Sequence, residues 1–94
     1  MSTRRPRYRY IAFRVEGPRP FGRDEVLAAL HGLPEPVWLV GFDHPRGLAR
    51  CTHLQKSATI EALNALRSIA GVEVRVATLG TSGTIRRAIE KYLS

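Results

Sequence analysis

The chain has 94 residues, 44% of them hydrophobic and 24% charged, which suits one domain with a modest core and leaves no room for two. Its formal charge is +7, and thirteen of its fifteen basic residues are arginine. No run approaches the ~20 apolar residues of a membrane span, the charged N-terminus lacks a signal-peptide core, and the lone Cys51 excludes an internal disulfide and any zinc-type spacing.

A cytoplasmic protein is the resulting expectation, with Cys51 as a small buried strand residue. The charge excess sits at the two ends: residues 1–23 carry +6, residues 24–71 carry −1 and residues 72–94 carry +2. Arginine presents a planar donor fork that fits phosphate and stacks on bases, so this excess favours a nucleic-acid partner. A genome-wide bias toward arginine produces the same count with no partner at all.

Residues 1–6 hold Arg4 and Arg5 without apolar neighbours and read as a flexible basic arm, leaving residues 7–94 as the folded domain. Residues 7–16 alternate, which predicts a strand. Arg9, Ile11, Phe13 and Val15 share one face, and Tyr8, Tyr10, Ala12 and Arg14 share the other. The first set supplies the core. The tyrosines on the second face can stack on bases, meet another protein or lie under a helix.

A proline-rich loop over residues 17–20 leads into a helix capped by Gly22, with Glu25 at N3 and a Phe21 to Val26 hydrophobic staple. Val26, Leu27, Leu30 and Leu33 give it an apolar stripe, and Gly32 and Pro34 end it. Residues 37–43 and 47–53 read as a hairpin, joined by a type I turn starting at His44. Ser57 is placed to cap a second helix bearing Ile60, Leu63, Leu66 and Ala70, with Gly71 closing it. Val72, Val74 and Val76 then predict the fourth strand.

Residues 80–83, Gly-Thr-Ser-Gly, read as a turn, and Ile85, Ala88, Ile89, Tyr92 and Leu93 as the buried stripe of a last helix. The order strand, helix, strand, strand, helix, strand, helix is the split βαβ arrangement. It predicts an α+β, ferredoxin-like, RRM-like βαββαβ sandwich with a four-stranded antiparallel sheet and an extra C-terminal helix. Two right-handed crossovers place both earlier helices on one face. The last helix must then cover part of the other face, pack at its edge, or lie across the first two.

The stretch from Ala77 to Arg87 concentrates anion-binding chemistry: a strand end, two glycines, a helix start and two adjacent arginines. It lacks the lysine and the length of a nucleotide-binding P-loop. Ser82 has no neighbouring base and no G-x-S-x-G context, so capping of the last helix is its expected role. His31, His44 and His53 stand outside any Asp, Ser or Cys constellation, and no paired carboxylates or metal-ligand spacing occur. No catalytic residue, metal site or protein-bound cofactor is expected. A ferredoxin-like phosphatase would require a water-orienting residue, and the sole asparagine, Asn64, falls mid-helix.

Several stretches together resemble the Pop-five protein subunit family of archaeal and eukaryotic ribonuclease P. They are Arg-Tyr-Ile-Ala-Phe at residues 9–13, Phe42-Asp43 before the hairpin turn, Gly47-Leu48-Ala49-Arg50-Cys51 after it, and the run from Val74 to Arg87. Phe21, Asp24, Glu25 and Val26 resemble the family's first-helix entry. The connection at residues 33–36 is shorter than is usual there, and Gly22 stands where a hydroxyl residue is common.

The resemblance implies a non-catalytic subunit of a ribonucleoprotein that removes the 5′ leader of precursor tRNA, with Mg2+ carried by the RNA. It also implies a TIM-barrel protein partner and self-association in a two-plus-two assembly. On this reading Arg4, Arg5, Arg7, Arg9, Ser82, Gly83, Thr84, Arg86, Arg87 and Lys91 contact RNA. Tyr8, Tyr10, Arg14, Arg50 and Arg75 form a face for RNA or a partner. The alternative is another RNA-binding module of the same fold outside ribonuclease P.

Overall fold

The alternation of residues 7–16 becomes β1 (Tyr8–Glu16), an inner strand of a four-stranded antiparallel sheet, in a computed structural model that describes residues 7–93. Next come α1 (Arg23–His31), β2 (Trp38–Asp43), β3 (Arg46–Thr52) and α2 (Lys56–Ala65). A two-stranded ribbon of β4 (Ser68–Ile69) and β5 (Val72–Glu73) precedes β6 (Arg75–Ser82). The last helix, α3, spans Ile85–Ala88 and continues as a wider π-helical turn over Ile89–Leu93. The sheet order β2-β3-β1-β6 is that of a ferredoxin-like fold.

Ile11, Phe13 and Val15 point into the main core with Val26 and Leu30 of α1, Leu63 of α2, and Leu39, Ala49 and Val76 of the neighbouring strands. Each of these side chains larger than alanine contributes roughly 1.5–3 kcal/mol through burial. Gly47 lacks a side chain where the Phe13 and Phe42 rings meet, and a Cβ there would overlap both. The opposite face carries a smaller cluster of Ala12, Leu48 and Ala88, with Tyr10, Val40, Tyr92 and Leu93 packed on it. Of the three placements open to the last helix, covering part of this face is the one realised.

The entry to α1 forms as its sequence predicts: Gly22 is the cap, and Phe21 and Val26 are both buried. The Glu25 carboxylate accepts the Gly22 N–H at 3.0 Å and two Arg19 bonds at 2.7 and 3.2 Å. The Arg19 bonds, and after them the Gly22 N–H, hold its pKa at about 2 against an ordinary 4.5. A depressed carboxylate contributes stability that is complete above the unfolded pKa and is lost as pH falls through the folded one. Glu25→Gln should therefore flatten the loss of stability between pH 4.5 and about 2, measured by urea unfolding at stepped pH. Parallel curves for the two proteins over that window contradict it.

Three expected elements differ. The second helix stops at Ala65, because Leu66 is extended and residues 68–73 fold into the ribbon. Ala70 and Gly71 both take positive φ (52° and 76°), the signature of a tight two-residue hairpin turn, so Gly71 serves that turn and not a helix cap. The helix is led by a 3₁₀ turn at His53–Gln55 and begins at Lys56, so Ser57 lies inside it and caps nothing. The hairpin connection is the two residues His44 and Pro45, joined by a cis peptide bond, in place of a type I turn.

The third difference concerns residues 80–83. Gly80, Thr81 and Ser82 are not turn residues; they extend β6 and pair with Ala12, Ile11 and Tyr10. Gly80 is required by packing, since a Cβ there would overlap the Tyr92 ring that lies on the strand. Opposite Phe13 the register slips, leaving Leu79 as an extra residue. Asn64 Oδ1 accepts the Thr78 N–H at 3.2 Å, so the sole asparagine ties α2 to this edge strand.

Candidate nucleic-acid interface

Antiparallel order puts the starts of β1 and β2 and the ends of β3 and β6 at one end of the sheet. Four strands at ~4.8 Å spacing make that end about 15 Å wide. It collects Tyr8 and Arg9 from β1, Trp38 from β2, Arg50 from β3 and Ser82 from β6, and the chain then enters α3 through Gly83 and Thr84.

Thr84, not Ser82, caps α3: its Oγ1 accepts the Arg87 N–H at 3.2 Å. Ser82 Oγ accepts the Thr84 N–H at 3.4 Å, so this hydroxyl braces the cap residue. Of the backbone donors expected to face an anion, the Thr84 N–H is thereby engaged within the loop. Positive side chains remain as the means of holding one. Arg87 and Lys91, one turn apart on α3, line a shallow concavity of about 530 Å³ with Thr81, Ser82, Gly83 and Glu90. Arg9 does not line it, but its Nη1 lies near Gly83 at the same end of the sheet and donates to the Tyr8 carbonyl at 3.1 Å.

The other candidates are dispersed. Arg86 does not line the concavity; its Nε bonds Glu90 at 3.3 Å in an exposed pair one turn apart. Such pairs contribute about 0.3–0.5 kcal/mol, weak enough to exchange for a phosphate. Arg7 is exposed, and its carbonyl accepts the His53 N–H at 2.7 Å. Arg75 stands at the far end of β6 opposite Glu16, and Arg14 lies 3.9 Å from Glu16. Arg4 and Arg5 lie outside the described residues.

The tyrosine face divides. Tyr10 is half-buried against the α3 cluster, whereas Tyr8 stays 43% exposed with the Arg50 guanidinium 4.5 Å from its ring centre. Two residues of this face were not singled out from sequence. Trp38, paired across the strands with Arg50, is 59% exposed, and Arg46 donates to the Tyr92 carbonyl at 3.3 Å, tying down the end of the last helix. A tryptophan heading a strand opposite an arginine was the available signal.

His44 and Cys51 have structural settings. His44 Nδ1 accepts the Phe21 N–H at 3.3 Å, joining the hairpin turn to the α1 entry. Cys51 is buried on β3, and burial raises its thiol pKa, which disfavours the nucleophilic thiolate. Among the described residues no group of three His, Cys, Asp or Glu could hold a metal ion, and no helix is long and apolar enough to cross a membrane.

A second surface is apolar. Ile85 and Ile89 were expected in the buried stripe of α3 but are 40% and 45% exposed, because only the Ala88 side of so short a helix meets the sheet. With Val40, Phe42, Leu48 and Leu93 they line an open groove of about 490 Å³.

Residues 35–93, from the β2 approach to the end of α3, match the Rpp14/Pop5 family. The chain belongs to this family. The match takes in the whole of the basic end apart from β1. Relatives extend the similarity over nearly the full chain. It is 32% identical over 104 residues to "Ribonuclease P protein component 2" of Methanosarcina mazei, covering 99% of this chain and 90% of that protein. The protein of the same name from Thermococcus kodakarensis is 35% identical over 105 residues, with 98% and 88% covered. That of Archaeoglobus fulgidus is 34% identical over 99 residues, with 95% and 91% covered.

Proposed function

We propose that this member of the Rpp14/Pop5 family is a non-catalytic, RNA-binding protein subunit of ribonuclease P, assisting the catalytic RNA in removing the 5′ leader of precursor tRNA. The observation that carries the reading is the basic end of the sheet, where Arg87 and Lys91 line a concavity with Ser82 and Gly83 and Arg9 lies near Gly83. Positive side chains backed by a rigid sheet suit phosphate positioning. The names of the relatives supply the process.

Division of labour follows from this chemistry. Phosphate oxygens of ribonuclease P RNA are held by Arg9, Arg87 and Lys91, with Arg86 released from Glu90 as it joins them and Arg7 extending the track. Mg2+ ions belong to the RNA. The groove at Ile85 and Ile89 offers a protein subunit an apolar surface, and the TIM-barrel subunit implied by the resemblance is the partner we assign, in a two-plus-two assembly and a cytoplasmic setting.

Titration of ribonuclease P RNA with the full chain tests the reading. Binding should weaken linearly with salt on logarithmic axes, as counterion release requires. Failure to bind at low salt removes it.

A further inference from the structure

Arg50 occupies a setting that phosphate contact alone does not explain. Its guanidinium lies between two exposed rings, 4.5 Å from the centre of Tyr8 and 5.1 Å from the centre of Trp38. The three residues come from adjacent strands β1, β3 and β2 and share the outer face of the sheet, since Arg50 is paired with both Tyr10 and Trp38. The last helix covers the part of that face formed by Tyr10, Ala12, Val40, Leu48 and Gly80. Trp38 therefore remains 59% exposed, outside both hydrophobic clusters.

We propose that Trp38, Arg50 and Tyr8 form a stacking platform for an unpaired base of single-stranded RNA, next to the phosphate-holding concavity. Three observations favour this occupant. Flat π surfaces ordered across a sheet match the faces of bases, which in a duplex are already covered by their neighbours. The polar atoms offered are mostly donors, five on the guanidinium and one on the indole besides the Tyr8 hydroxyl, with no carboxylate in ion-pair contact with Arg50 among the described residues. Base edges and phosphates are rich in acceptors. Finally, Arg9, Arg87 and Lys91 lie along the same end of the sheet, so a strand stacked here has its backbone led toward positive charge. Cation–π attraction to both rings keeps the Arg50 guanidinium beside them.

The inference rests on the RNA-binding reading and has its own readout, because Trp38 is the only tryptophan in the chain. Single-stranded oligoadenylate RNA of about ten nucleotides, within the span of known single-strand sites, is titrated into the full-length protein. The tryptophan emission should be quenched in step with binding, followed in parallel by anisotropy of end-labelled oligonucleotide. A blunt RNA duplex of the same length should bind without that quench. Trp38→Leu and Arg50→Ala should each weaken oligoadenylate binding about 5- to 150-fold, the range for loss of one stacked base. Trp38 is exposed, so the leucine variant should fold; the quench in the unaltered protein stands independently of either variant.

Binding with unchanged emission and unchanged affinity of both variants overturns the platform while leaving RNA binding intact. Absence of any RNA binding overturns both. If Trp38→Leu leaves RNA affinity alone but releases a protein subunit, the cluster is a protein contact and the platform is again overturned.

Discussion

Replacing Arg87 and Lys91 together by alanine is expected to lower affinity for ribonuclease P RNA on the order of tenfold and to flatten its salt dependence, the log–log slope falling by roughly 1.8 for two duplex-like phosphate contacts. Both side chains line the concavity with Ser82 and Gly83, and both are exposed. Their removal should change stability by no more than about 0.5 kcal/mol. The cap of α3 survives, because Thr84 holds the backbone N–H of residue 87 and not its side chain. Arg86→Ala is the internal comparison. Its side chain does not line the concavity and is paired with Glu90, so a smaller change in slope is expected. Filter binding from low to moderate salt measures all three proteins. An unchanged slope in the double variant removes this surface from the RNA contact.

The second large effect concerns the core that holds the basic end in place. Phe13→Ala should cost about 3–5 kcal/mol, the usual range for emptying a buried aromatic site. Phe13 is 1% exposed in the inner strand β1 and stacks on Phe42 with ring centres 6.3 Å apart. Its ring also fills the space left free by Gly47 on β3. Relaxation is limited, because β1 is locked between β3 and β6. A domain of this size commonly has only about 5–15 kcal/mol in total, so the loss is a large share of it. Equilibrium urea unfolding measures it; a cost below about 1 kcal/mol contradicts the packing described.

Much of this architecture is legible in the sequence where one pattern has one physical solution. Alternation at residues 11, 13 and 15 can be buried only by a strand, and Phe21, Gly22, Glu25 and Val26 specify the entry to α1 both by packing and by hydrogen bonding. The ribbon at residues 68–73 was hidden because Leu66, Ile69 and Ala70 suit a helical stripe as well as an extended one. The deciding factor was the positive φ at Ala70 and Gly71, a backbone requirement that alanine does not advertise. The path of β6 through Gly80, Thr81 and Ser82 was concealed by composition. Small polar residues there signal a turn, whereas Gly80 is small because Tyr92, twelve residues later, lies on it.

The candidate site was legible in type more than in arrangement. Arginines next to a Gly-Thr-Ser-Gly stretch suggest an anion site, but that Arg87 lines the concavity while Arg86 does not depends on where α3 starts. That start depends on Thr84 winning the cap over Ser82. The Trp38, Arg50 and Tyr8 cluster depends on strand register, which no local pattern contains.

Cleavage of precursor tRNA by ribonuclease P RNA at low magnesium, with the TIM-barrel subunit present and this chain either added or withheld, tests the central claim most directly. Addition should raise the rate of 5′-leader removal and lower the magnesium needed for it. An unchanged rate and an unchanged magnesium requirement would contradict a role in ribonuclease P and leave only a generic RNA-binding module of the same fold.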